Sequence, residues 1–193
     1  LYNSNLIAHL VYGSSDGISN YFILNKIPIP NWISYIVLSF FNSFLPAWFA
    51  EKILIIAYLI GLSFSFRLLI KQLCPENIGL SIIIIPFAYT FLFYIGFYNY
   101  SISYIFLFLT LYYWLRHYSE ISIKKYLILF ALLTITYFSA ILTFLFSGFI
   151  LGVFLILFSL QDYFNGKAGS QIAKNLFNEL FILLMVSLPT LVF

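Results

Sequence analysis

Apolar and polar positions alternate with two different rhythms along this chain. In residues 3–12, Leu6, Ile7, Leu10 and Val11 recur at helical spacing, with Asn5 and His9 opposite them. That pattern predicts a short amphipathic helix. Residues 32–45 repeat it more strongly. Ile33, Ile36, Val37, Phe40, Phe41 and Phe44 share one helical face, while Asn31, Ser34, Tyr35, Ser39, Asn42 and Ser43 share the other. Between the two, "GSSDG" at 13–17 predicts a turn, and the prolines of "NKIPIPN" at 25–31 predict extended chain. After Glu51 and Lys52 the rhythm is lost. Charge-free runs at 53–66, 77–115, 126–161 and 180–193 are apolar all round.

A helix needs about 20 apolar residues to cross the hydrocarbon core of a bilayer. Divided on that basis, with "GFYNYS" at 96–101 as one break, the runs predict six spans near 52–70, 78–95, 102–116, 126–142, 144–160 and 176–193. The junction of the fourth and fifth is expected near residue 143. Composition agrees: 63% of the 193 residues are hydrophobic and 8% charged, against about 25% charged in a soluble domain. The expected fold is all-α: a polytopic transmembrane helical bundle of about six spans (52–193), preceded by a segment 1–51 with membrane-surface helices at 3–12 and 32–45. Continuously apolar runs argue against a β-barrel, which reads as alternating ten-residue segments. The single cysteine, Cys74, cannot form an internal disulfide.

Charge then orients the spans. Arg67, Lys71, Arg116, Lys124, Lys125, Lys167 and Lys174 all fall in loops on one side if the spans alternate. Basic loops stay in the cytoplasm, so the expectation is a multi-pass protein of the cell membrane, the inner membrane if the source is bacterial, with 1–51 outside. Whether 32–45 lies flat or crosses decides where residues 1–30 sit. It is short for a span, it is amphipathic, and Trp32 and Trp48 bracket it as interface-seeking residues do. The flat placement is adopted here; a short tilted span is the alternative, and it would invert residues 1–30.

Candidate chemistry is sparse. No phosphate-binding glycine loop, metal-ligand cluster or nucleophile–base spacing is present, and nothing points to nucleic acid as a partner. Gly148 and Gly152 form a GxxxG, which predicts close helix packing. "NYS" at 99–101 matches a glycosylation acceptor. No charge sits at the centre of an expected span, which lowers the transporter reading, since ion coupling places ionisable groups at membrane depth. Polar groups collect instead in the outer segment: His9, Asp16, Asn25, Asn31, Glu51 and Lys52 are the candidate substrate-binding residues. Each also has a plainer role. Asp16 suits its turn, His9 the wet face of a surface helix, Glu51 a helix N-terminus, and Lys52 a headgroup-seeking lysine.

"PIPNWISYIVLSFF" followed by "AEKILIIAYLIGLSFSFRLLIKQL" resembles the first external loop and following span of the GT-C class of membrane glycosyltransferases. The likeness extends over roughly residues 1–75 and is closest to uncharacterised bacterial relatives in which an acidic motif precedes "LYNS"-like residues. The resemblance implies transfer of a sugar from a polyprenyl-phosphate donor, with the bilayer and that lipid-linked sugar as partners. It also implies an acidic residue acting as base or holding a divalent metal ion, upstream of Leu1 in a longer protein, and a cation, Lys52 or the metal, facing the leaving phosphate. A transporter or flippase for an apolar or lipid-linked substrate, or a non-catalytic membrane subunit, are the other classes the composition allows.

Overall fold

The computed structural model describes residues 2–12, 17, 20–24, 30–118, 122–166 and 169–191. Every regular element among them is helical: α1 (Tyr2–Tyr12), α2 (Ile33–Asn42), α3 (Ala47–Leu73), a 3-10 run (Pro75–Ile83), α4 (Ile84–Ala88), α5 (Phe91–Tyr94), α6 (Tyr98–Arg116), α7 (Ile123–Ser139), α8 (Ile141–Phe164) and α9 (Gly169–Leu191). Two of them, α3 and α8, are long and apolar enough to cross a membrane.

The breaks follow local chemistry. Helix α3 stops at Cys74, which the following Pro75 holds out of the helical region (φ −140°, ψ 73°). The expected span at 78–95 is not one helix. Pro86 lacks an N–H, and α4 ends three residues later at Tyr89 (φ −97°, ψ 68°). Thr90 then caps the short α5, its Oγ1 accepting from the Phe93 N–H at 3.2 Å. Gly96, at φ +89°, turns the chain into α6, so Tyr98–Ser101 form a first helical turn rather than the expected loop. The expected junction near 143 falls instead at Ala140, one extended residue (φ −159°, ψ 121°) between α7 and α8.

Side-chain pairs fix the directions. Tyr98 meets Glu51, Ile105 meets Gly61, and Phe108 meets Phe66 at 5.1 Å between ring centroids, so α3 and α6 run parallel. Ser103 donates to Thr143 at 2.7 Å, and Trp114 stacks on Phe158, so α6 and α8 also run parallel. Helix α7 returns between them, and α9 joins it through Lys125 and Glu179, 2.9 Å apart. Arg116, Lys124 and Lys125 consequently lie at one end of the packed helices, and Glu51, Tyr98 and Asn99 at the other.

Small polar residues lie inside beside a core of leucine and aromatic side chains such as Leu129, Leu151 and Trp114, and much of the outside is apolar. Ser65, Ser101, Ser103, Thr110, Thr136, Thr143 and Ser147 are buried between helices. Ile56, Ile60 and Phe64 on α3, and Leu145, Phe149 and Ile156 on α8, are exposed. Only 28% of the most apolar stretch of each long helix is buried. Small residues at helix contacts let backbones approach closely, and Gly61 is the clearest case. A Cβ there would lie 2.8 Å from Ile105 Cδ1. Gly148 and Gly152, expected to pack closely, do not among the described residues: a Cβ at either would meet none of their atoms within 4 Å outside its own helix backbone and chain neighbours.

Helix α2 is only partly enclosed. On its polar side Ser34 and Ser39 are buried; on its apolar side Ile33, Val37 and Phe41 pack against the core, while Ile36, Phe40 and Phe44 are exposed. Helix α1 packs on that polar side through Ser4 and Ala8. Ser39 Oγ donates to the Ser4 carbonyl at 2.9 Å.

Candidate functional site

The start of α2 is held by side chains from other helices. Trp32 occupies the cap position and supplies no capping side-chain bond, so the first N–H groups of α2 need partners elsewhere. Asn99, in the first turn of α6, provides one. Its Oδ1 accepts from the Ser34 N–H at 2.6 Å, and its Nδ2 donates to the Asn31 carbonyl. Asn31 sits at φ +67°, a left-handed conformation that asparagine tolerates better than most residues. The Trp32 N–H donates to the Phe138 carbonyl at 2.9 Å, which ties the same turn to the end of α7. One buried asparagine thus joins the start of α2 to α6 through two backbone groups.

A cavity of about 720 Å³ opens beside this junction, lined by α1, α2, the α5–α6 turn, α6 and the α7–α8 junction. Its volume is within the roughly 300–1,000 Å³ common to small-molecule sites. The polar residues on its wall are Tyr2, Asn3, Asn31, Ser34, Tyr35, Tyr98, Asn99 and Tyr100, with Leu38, Leu92, Ile95, Phe97, Ile141 and Leu142 among the apolar ones. Tyr98 donates its phenolic hydrogen to Glu51 Oε1 on α3. Burial, and then the hydrogen bond to Glu51, push its pKa up to about 12, so the phenol keeps its proton at neutral pH.

The six residues expected to bind substrate separate in the structure. Asn31 lines the cavity. Glu51 stands behind the wall, reached through Tyr98. Lys52 does neither: it is exposed and sits 4.9 Å above the Trp48 ring, itself exposed. Consecutive residues of a helix project about 100° apart, so Glu51 and Lys52 do not act as one charged pair. His9 is exposed on α1 and is not among the lining residues. Asp16 and Asn25 lie outside the described residues. Among those described, no three His, Cys, Asp or Glu come together as a metal site. Glu51, the one described carboxylate at this end, is engaged with a phenol, so the described donors do not fit a divalent ion.

Tyr98, Asn99 and Tyr100 were missed because "GFYNYS" reads as a break. The signal available was an asparagine inside a charge-free run, which needs hydrogen-bond partners if buried. Its match to a glycosylation acceptor does not survive: Asn99 is 8% exposed with both amide atoms committed. No protein-family model, curated protein or solved structure matches the chain.

Proposed function

We propose that this protein is an integral, multi-pass membrane protein of the GT-C glycosyltransferase kind, and that the cavity at the Glu51–Tyr98–Asn99 end holds the sugar of a polyprenyl-phosphate donor. The single observation that carries this reading is the cavity wall. Tyrosine rings offer flat apolar faces to the C–H side of a sugar ring, and the hydroxyls and amides offer partners to its hydroxyl groups. The exposed apolar faces of α2, α3 and α8 support lipid as the surrounding solvent, because isoleucine and phenylalanine each gain about 1.5–3 kcal/mol when removed from water. The collection of basic residues at the opposite end supports a cytoplasmic placement for that end and an outer-face placement for the cavity.

The chemistry this reading requires is substitution at the sugar's anomeric carbon. An acceptor hydroxyl forms the new C–O bond while the bond to the donor phosphate oxygen breaks, and polyprenyl phosphate leaves with the electron pair. The hydroxyl proton passes to a base, because a neutral hydroxyl is a poor nucleophile. The described residues supply binding and orientation for that step: Asn99 and Asn31 shape the wall, and the bond to Glu51 holds Tyr98 in place. Membranes carrying the full-length protein, supplied with radiolabelled polyprenyl-phosphate hexose, test the reading. Label should move to an acceptor, and Asn99→Ala should reduce that transfer at least tenfold. Transfer at the rate of control membranes would overturn it.

A further inference from the structure

The mouth of the cavity has two unlike sides. Ile95 and Phe97 on the α5–α6 turn, and Ile141 and Leu142 at the start of α8, line the cavity and keep between 46% and 59% of their surface exposed. A residue that does both stands on the rim. Asn3 on α1 and Asn31 before α2 line the same cavity and are also exposed. Farther in, the lining residues Ser34, Leu38, Asn99 and Ala140 are buried. The rim is thus apolar on the side of α8 and polar on the side of α1. The apolar side does not end at the rim: Leu145 and Phe149, farther along α8, continue it as exposed surface.

The length of α8 sets the depth of that rim. Its 24 residues, at about 1.5 Å each, reach about 36 Å, against about 30 Å of hydrocarbon in a bilayer. In a spanning α8 the first residues, Ile141 and Leu142, stand where hydrocarbon gives way to headgroups. The Ser103–Thr143 bond ties this end of α8 to the second turn of α6, so the rim and Asn99 lie at one level. A mouth facing water would leave its apolar side hydrated, which is unfavourable; a mouth facing acyl chains would not. We infer that the cavity opens sideways to the bilayer and takes an amphiphile head first: the polar head enters past Asn3 and Asn31, and the hydrocarbon chain stays outside, on Ile95, Phe97, Ile141 and Leu142. This rests on the membrane placement proposed above. It adds the route and the orientation of the ligand, and it holds whether or not the head is a sugar.

The test uses the full-length protein with Cys74→Ser, in phosphatidylcholine nanodiscs, carrying one new cysteine at a time. Bimane fluorophores on Leu142→Cys, Phe149→Cys and Asn3→Cys are quenched either by a phosphatidylcholine spin-labelled on its acyl chain or by iodide in the water. The probes at 142 and 149 should lose most of their emission to the lipid quencher and little to iodide, and the probe at 3 the reverse. Entry of a head is read with a phosphatidylethanolamine bearing a maleimide on its headgroup, applied to Tyr100→Cys and Tyr35→Cys, both on the cavity wall. At either position it should react at least about tenfold faster than with Phe149→Cys, because carrying a charged headgroup into hydrocarbon is costly. A probe at 142 that answers to iodide as the one at 3 does would overturn the inference, and so would reaction at both wall positions no faster than at 149. A probe at 149 that answers to iodide rather than lipid would overturn the membrane placement, and the inference with it. None of these readouts involves a sugar, so failure of sugar transfer leaves them standing.

Discussion

Replacing Asn99 by alanine removes two hydrogen bonds and leaves two backbone groups to find new partners. The Ser34 N–H loses its 2.6 Å acceptor, and Ser34 is 3% exposed. A buried donor left unpaired costs about 1–3 kcal/mol. Losing a helix N-cap costs about 1 kcal/mol by itself, and here the two descriptions cover the same bond, so they are not added. The Asn31 carbonyl loses its donor as well, and an ordinary hydrogen bond contributes about 0.5–1.5 kcal/mol net. Together these put the loss at about 2–4 kcal/mol, concentrated on the first turn of α2. Local opening of that turn should then become about 30- to 1,000-fold more frequent, at tenfold per 1.4 kcal/mol. Hydrogen–deuterium exchange of the full-length protein in nanodiscs reads this directly, as faster exchange at Ser34 and Tyr35 with little change in α8. Asn99→Asp serves as a second perturbation. It retains an acceptor for the Ser34 N–H but places a carboxylate oxygen against the Asn31 carbonyl, so Ser34 should keep most of its protection. Unchanged exchange at Ser34 in Asn99→Ala would refute the cap, and with it the claim that Asn99 shapes the cavity wall.

Other consequences are as specific. Gly61→Leu should destabilise by about 1–3 kcal/mol, because side-chain volume is forced into a contact already filled by Ile105; Gly148→Ala and Gly152→Ala should be neutral or slightly stabilising in the same denaturation assay. Lys125→Ala and Glu179→Ala should each cost about 3–5 kcal/mol by stranding a buried charge, whereas Lys125→Met with Glu179→Leu should cost much less, measured as thermal unfolding in detergent. Tyr98 has a folded pKa raised to about 12 against an ordinary value of about 10, so its stabilising contribution is whole below pH 10 and is lost as pH rises through 12. The phenolate absorbance difference between wild type and Tyr98→Phe should have its midpoint near 12, and a midpoint near 10 would contradict the buried, Glu51-bonded placement of the phenol. With the exposed Cys74 replaced by serine, single cysteines at Ser43 and Ser122 should differ in intact cells: a membrane-impermeant thiol reagent should label the first and spare the second.

How much of this was legible in the sequence depended on whether the signal was local. Helix α3 was readable because a proline stands on either side of it and no proline lies within it. The 75–97 region was misread because apolar length outweighed Pro86, Thr90 and Gly96, each of which ends or turns a helix for a reason visible in its own chemistry. The apolar face of α2 was legible as a set of residues, but not its division between the core, which takes Ile33, Val37 and Phe41, and the exposed surface, which keeps Ile36, Phe40 and Phe44. Periodicity says which side chains share a face, not whether the partner across it is water, lipid or another helix. Ser34 and Ser39 turn inward because α1 and Asn99 offer them hydrogen bonds, and those partners lie 35 and 65 residues away in sequence. The candidate site was legible only at Asn31 and, through its phenol partner, Glu51. Lys52 drew attention as a cation that could face a leaving phosphate, yet its partner is a surface indole. Tyr98, Asn99 and Tyr100 carry no charge and stand in an apolar run, so only the fold reveals that they converge with α2.

The central claim is that the cavity beside Tyr98 and Asn99 receives a lipid-linked sugar. Photoaffinity labelling measures it most directly. A polyprenyl-phosphate hexose bearing a diazirine on the sugar would be irradiated with the full-length protein in membranes, and the modified peptides identified by mass spectrometry. The account predicts label within residues 96–100 and 31–35, competed by unlabelled donor and reduced in Asn99→Ala. Label confined to the exposed faces of α3 and α8, uncompeted by donor, would contradict it.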